Sequence, residues 1–165
     1  MQRFPMTPAG KKRLEAELER LRTVERPAIV VAIEEARAHG DLKENAEYHA
    51  AKDRQGQIEA RIREFETKVG LAEVIDPTSL SGDRVRFGAT VRLLDLDNDD
   101  EITYSIVGED EADFRSGLIS YQSPIARAVL GREEGDEVEV ITGNGTRNLE
   151  IVEVQYKDIV LPEKR

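Results

Sequence analysis

Between residues 48 and 72, the positions Tyr48, Ala51, Gln55, Ile58, Ile62, Phe65, Val69 and Ala72 follow steps of three and four in strict alternation. A mean step of 3.5 keeps them on one narrow stripe of an α-helix and would scatter them over both faces of a strand. Such a stripe is a coiled-coil seam, and it needs a second helix to cover it. The chain supplies one upstream: Leu14, Leu18 and Leu21, then Ile29, Ile33 and Ala36, recur at similar spacings. Ahead of them stands Thr7-Pro8, a capping residue followed by proline at a first helical position. The simplest object with two such stripes is an antiparallel helical hairpin that turns near Gly40.

One irregularity interrupts the first stripe. Its spacing slips to 21, 25, 29, and Pro27 falls inside the slip. Proline cannot donate the interior helical hydrogen bond, so a break or kink is expected near residues 25–27. The second helix is expected from residue 45 to 76, roughly 30 residues or about 45 Å. Asp76-Pro77 stops it, because the residue before proline is pushed out of the helical region. Beyond that point the pattern changes to short β-rich runs at 85–87, 90–94, 101–107, 137–141 and 149–154. Acidic or glycine-containing turns at 95–100 and 108–113 separate them, and Asn144-Gly145 is a hairpin signal. Ser123-Pro124 caps and opens one short helix over 125–130, and Gly131 ends it. The fold class is α+β: an N-terminal antiparallel coiled-coil hairpin, residues 1–76, and a C-terminal antiparallel β-sheet domain with one short helix, residues 77–165.

Composition narrows the functions. Aromatic residues make up only 5% of the chain and Trp is absent, so a large aromatic-walled pocket is not expected. The absence of Cys removes disulfides and thiolate metal sites and fits a reducing compartment. The opening MQRFPMTPAGKK lacks the apolar core of a signal peptide, and no apolar run reaches membrane-spanning length. A soluble, intracellular protein is expected. The net charge of −10 is uneven: residues 77–165 carry 10 Lys and Arg against 19 Asp and Glu, whereas residues 1–76 carry 14 against 15. A basic nucleic-acid face is therefore not expected in the second half. In the first half Arg37, Lys43, Lys52 and Arg54 gather near the bend, where they also suit an ordinary solvated helix surface.

The bend itself, GDLKENAEYHAAK over residues 40–52, brings Asp41, Glu44 and Glu47 to the end of a stiff rod. Two readings of Asp41 and Glu44 are open. Their spacing is that of a capping box opening the second helix, a role worth about 1 kcal/mol. Alternatively, two nearby carboxylates are hard oxygen ligands suited to Mg²⁺. That ion usually takes one or two carboxylates together with waters and phosphate oxygens. Alone, the pair would hold it weakly; joined to a partner's carboxylates, it could complete a site for phosphodiester hydrolysis. Neither His39 nor His49 forms a metal cluster, no glycine-rich phosphate loop is present, and no motif organises a catalytic triad. A plain coiled-coil spacer or dimerisation arm is the rival reading, and it makes the tip charges dispensable.

The heptad arm, the GDLKENAEYHAAK bend, the FGATV strand, and then DEADF with ISYQSPIARAVLG closely resemble the Gre transcript-cleavage factors of bacterial RNA polymerase. The resemblance spans essentially the whole chain and is strongest to the GreA branch. It implies an FKBP-like topology for the C-terminal domain, whose proline-isomerase activity does not follow from the fold. It implies a monomeric cytoplasmic factor with no membrane partner and no tightly bound cofactor of its own. Its arm would enter the secondary channel of RNA polymerase, where Asp41 and Glu44 would support a shared Mg²⁺ and promote cleavage of backtracked RNA near its 3′ end. Asn45 and Tyr48 match neighbours in the same tip motif, and Arg37 and Lys52 fall where the family places basic residues facing the RNA. Ser123, Pro124, Ile125 and Ala126 match the surface that docks on the polymerase rim, although a capped helix packed on the sheet explains them equally. A channel binder that inhibits cleavage would share arm and dock but differ at the tip.

Overall fold

The computed structural model describes residues 2–41 and 45–163. The chain divides into two compact units, residues 12–71, and residues 1–11 together with 72–165.

The first unit is the helical hairpin. Helix α1 (Pro8–Arg20) runs through a π-helical turn (Leu21–Glu25) into α2 (Arg26–Arg37), and α3 (Ala46–Gly70) returns. Leu14, Leu18, Leu21, Ile29, Ile33 and Ala36 are buried on the outgoing strand of the hairpin, and Ile58, Ile62 and Phe65 on α3, with Ile62 only 1% exposed. Each fully buried aliphatic side chain of this kind contributes about 1.5–3 kcal/mol. Ion pairs flank the seam: Arg26 grips Glu59 with two hydrogen bonds of 2.7 and 2.8 Å, and Arg22 lies 3.3 Å from Glu66.

The expected break near residues 25–27 is not a break. Arg20, Glu25 and Arg26 all keep right-handed helical dihedrals, and the Arg26 N–H donates to the Leu21 carbonyl five residues back. The π turn explains the slipped spacing. From Leu21 to Ile29 the chain holds one residue more than a heptad step, and a π turn absorbs one extra residue while returning the stripe to the seam. It also accommodates Pro27, the second residue of α2, since the carbonyl its ring would strike four residues earlier, that of Thr23, lies within the widened turn.

Helix α3 is shorter than the sequence suggests. It ends at Gly70 rather than at residue 76, a length of 25 residues or roughly 38 Å. The cause is a distant strand. β1 (Phe4–Met6) pairs in parallel with β2 (Ala72–Val74), and Ile75 donates to the Met6 carbonyl at 2.9 Å, so the backbone after Leu71 has partners outside the helix. Asp76 instead caps a short 3₁₀ turn at Pro77–Ser79, accepting from the Thr78 N–H at 2.9 Å.

In the second unit five strands form a sheet in the order β5-β4-β3-β7-β6: β3 (Thr90–Asp95), β4 (Glu101–Val107), β5 (Leu118–Ser120), β6 (Glu137–Thr142) and β7 (Gly145–Gln155). All pairs are antiparallel except β4 with β5, which is parallel and is reached through two 3₁₀ turns. Helix α4 (Pro124–Val129) places Ala126 and Val129 in the core with Val91, Leu93, Ile106, Val140, Leu149 and Ile151. The run at 85–87 is apolar for the same core but is not a strand. Val85 is 1% exposed, and its N–H and carbonyl bond to Arg132 and Gly131 in the loop after α4. The β6–β7 hairpin turns at Gly143 and Asn144, one residue earlier than expected, and Gly145 takes φ +117°.

Thr7 anchors the start of α1 within this unit. Its hydroxyl accepts from the Gly10 N–H at 3.1 Å and donates to the buried Glu111 carboxylate, which also accepts from the Thr7 N–H and, at 2.8 Å, the Gly108 N–H. Glu111 is 2% exposed, and these donors are what make its burial tolerable. Gly10 is required here: a Cβ would lie 2.3 Å from the Glu111 side chain.

Candidate functional site

The tip of the hairpin lies between the end of α2 and the start of α3. Arg37 is the last residue of α2; Ala38 and His39 make a turn, with the His39 N–H returning to the Ala36 carbonyl at 3.2 Å. Gly40 takes φ +119°, a conformation glycine adopts without the cost a side chain would bring. Asp41 follows and is exposed. Glu44 lies outside the described residues, as does Lys43. His39, Asp41, Asn45, Ala46 and Glu47 line an open concavity of about 480 Å³.

The cap of α3 bears on one of the two readings of Asp41. A capping box beginning there would start the helix at residue 42, whereas α3 begins at Ala46 with Asn45 as its N-cap. The Asn45 Oδ1 accepts from the Tyr48 N–H at 3.0 Å, and its Nδ2 donates to the Ala36 carbonyl at 2.5 Å. Glu47 falls in the first turn of α3, where a carboxylate is favoured by the helix dipole. The Asp41 carboxylate is thus not the cap of α3, and it lines the concavity at the end of the rod.

The three described basic residues near the bend have separate partners. The Arg37 guanidinium lies 5.9 Å from the centroid of the Tyr48 ring, Lys52 donates to Gln55 at 3.2 Å, and Arg54 pairs with Glu25 at 3.6 Å. Of these three, Arg37 and Lys52 are exposed cations near the tip, and Arg54 belongs to the ion network beside the π turn. Tyr48 is half-buried and meets exposed His49 edge-on, with ring centroids 5.6 Å apart. Among the described residues no group of three or more His, Cys, Asp or Glu could hold a metal ion.

At the other candidate surface, Ser123 is the N-cap of α4, its Oγ accepting from the Ala126 N–H at 3.3 Å. Pro124 is exposed, Ser123 and Ile125 are half-buried, and Ala126 is fully buried. Three of the four expected docking residues therefore reach the surface, and Ala126 packs behind them in the core. The double role of Asn45 was not visible from spacing, since an Asn before a helix signals a cap but says nothing about its second hydrogen bond. Among the described residues, no helix is long and apolar enough to cross a membrane.

An exposed acid at the turn of a helical hairpin, and a small sheet domain with one capped helix, define the class: a two-part protein with an arm and a β domain. The family model for the N-terminal region of transcription elongation factors matches residues 4–74, and the model for the C-terminal region of the GreA/GreB transcription elongation factors matches residues 80–156. The chain belongs to the GreA/GreB family of transcription elongation factors. It is 58% identical over 157 residues to the transcription elongation factor GreA of Hyphomonas neptunium, covering 95% of this chain and 100% of that protein. To the same factor of Phenylobacterium zucineum it is 57% identical over 156 residues, 94% of this chain and 99% of that one. Among solved structures, the GreA factor homolog 1 of Thermus thermophilus shares 28% identity over 93% of this chain and 99% of its own, with a TM-score of 0.43.

Proposed function

We propose that this elongation factor binds bacterial RNA polymerase, inserts its hairpin into the secondary channel and stimulates the polymerase's own cleavage of backtracked RNA. The observation that carries this reading is the placement of Asp41. It is exposed at the tip of the rod, lines an open concavity with Glu47, and leaves the capping of α3 to Asn45.

In the complex, Asp41 and Glu44 act as carboxylate ligands that complete a Mg²⁺ site begun by the polymerase. Bound there, Mg²⁺ would supply Lewis-acid activation of a water for phosphodiester hydrolysis. Arg37 and Lys52 face the extruded 3′ RNA and offset its charge. Ser123, Pro124 and Ile125 dock on the rim of the channel, with Ala126 holding them from below. Catalysis belongs to the polymerase, and the factor works as a cytoplasmic monomer without a tightly held cofactor.

The test is RNA cleavage in a stalled, backtracked elongation complex. Asp41→Ala and Glu44→Ala should each abolish stimulated release of 3′ fragments while leaving polymerase binding intact. Full activity in both variants would refute metal donation and favour a plain adaptor.

A further inference from the structure

The Asn45 side chain does two things with one amide. Its Oδ1 satisfies a donor at the start of α3, the Tyr48 N–H, and its Nδ2 satisfies an acceptor at the end of α2, the Ala36 carbonyl. Helix termini leave such groups short of intrahelical partners; Asn45 supplies the Tyr48 N–H with an acceptor and adds a second donor to the Ala36 carbonyl, which also accepts from the His39 N–H. The two groups belong to different helices, nine residues apart at the point of contact with Ala36. A second side-chain link joins the same ends, the Arg37 guanidinium from α2 near the Tyr48 ring from α3.

We infer that Asn45 is a positioning residue: it clamps the end of α2 to the start of α3 and thereby fixes the chain that presents Asp41. This rests on the proposed role of the tip acids. The chemistry selects asparagine. Ser and Asp are comparable N-caps, but an ionised Asp has no donor, and the Ser hydroxyl stands one bond closer to the backbone than Nδ2. Neither reproduces the bond to Ala36. A metal ligand must be held to within about 0.2 Å of its proper distance, and misplacement by 1 Å can cost about a hundredfold in rate. A tip that loses the Asn45 link therefore loses rate without losing affinity.

The experiment compares Asn45→Ser and Asn45→Asp with wild type in two assays. In the isolated protein, the amide of His39, which shares the Ala36 carbonyl with Asn45, should exchange with solvent about five- to tenfold faster in both variants, the expected effect of losing one net hydrogen bond. Exchange at Tyr48, whose cap acceptor survives, should stay near the wild-type rate. In backtracked complexes, the maximal cleavage rate should fall about tenfold in both, with the half-saturating factor concentration unchanged. Unaltered His39 exchange in both variants would overturn the clamp whatever the tip acids do. Wild-type maximal cleavage by Asn45→Ser, with Asp41→Ala inactive, would overturn its positioning role. Loss confined to Asn45→Asp would do the same, because added charge would then be the cause. If Asp41→Ala itself retained cleavage, the proposed function would fail first, and positioning of Asp41 would fall with it.

Discussion

Deleting Thr23 should convert the π turn into ordinary α-helix and place Pro27 under strain. Thr23 is exposed and lies inside the Leu21–Glu25 turn, so its loss removes no buried side chain. The step from Leu21 to Ile29 would shrink to one heptad, and both halves of the stripe would remain on the seam. The cost falls on Pro27. In a regular helix its ring meets the carbonyl four residues back and no N–H is available, a penalty of about 3 kcal/mol. For a hairpin of this size that corresponds to a fall of more than about 10 °C in the melting temperature of the helical signal. Pro27→Ala in the full-length chain should change stability by less than about 1 kcal/mol, since the π turn already accommodates the ring. In the deletion background the same substitution should restore most of the loss. The coupling between the two changes, measured by urea unfolding followed at 222 nm, should therefore be about 2–3 kcal/mol. Additive effects would refute the idea that the π turn exists to reconcile Pro27 and the extra residue with the seam.

Two further changes probe the rest of the molecule. Glu111→Ala should cost roughly 3 kcal/mol or more, because the Thr7 and Gly108 N–H groups and the Thr7 hydroxyl lose a buried acceptor worth about 1–3 kcal/mol each when unsatisfied; a loss below about 1 kcal/mol in thermal unfolding would show that water replaces the carboxylate. In the hairpin, hydrogen bonds from Arg20 to Glu25 and from Arg26 to Glu59 hold both carboxyl groups below their ordinary range. A depressed carboxylate stabilises the fold above its unfolded pKa of about 4.3 and loses that contribution as pH falls through the folded value. The urea midpoint should thus be steady near neutrality and fall below about pH 4.3, and Glu25→Gln with Glu59→Gln should flatten the fall; an unchanged acid slope in the double variant would count against these pairs.

The hairpin was readable because its evidence is local and periodic: apart from the eight-residue step between Leu21 and Ile29, each seam residue lies three or four positions from the next on its stripe. Features set by distant partners were not. Residues 72–74 look like a continuation of the helix until β1, almost seventy residues earlier, claims their backbone. The three-residue β5 is too short to show alternation, and its parallel pairing with β4 leaves no turn signature. Val85 reads as a strand residue because burial and strand formation select the same side chains. At the tip, Asp41 was conspicuous as an acid beyond a helix end, but its spacing to Glu44 suited a cap equally well. The position of Asn45, one residue before α3, removes the α3 cap as an account of Asp41.

The central claim is that the tip carboxylates lend themselves to a Mg²⁺ ion held jointly with the polymerase. The direct measurement is the Mg²⁺ dependence of RNA cleavage in backtracked complexes saturated with factor, comparing wild type with Asp41→Asn and Glu44→Gln. These variants keep size while removing charge and replacing one acceptor oxygen with an NH₂ donor. The account predicts that wild type lowers the Mg²⁺ concentration needed for half-maximal cleavage, and that both variants lose this effect at unchanged polymerase affinity. Identical Mg²⁺ dependence in all three proteins would contradict it.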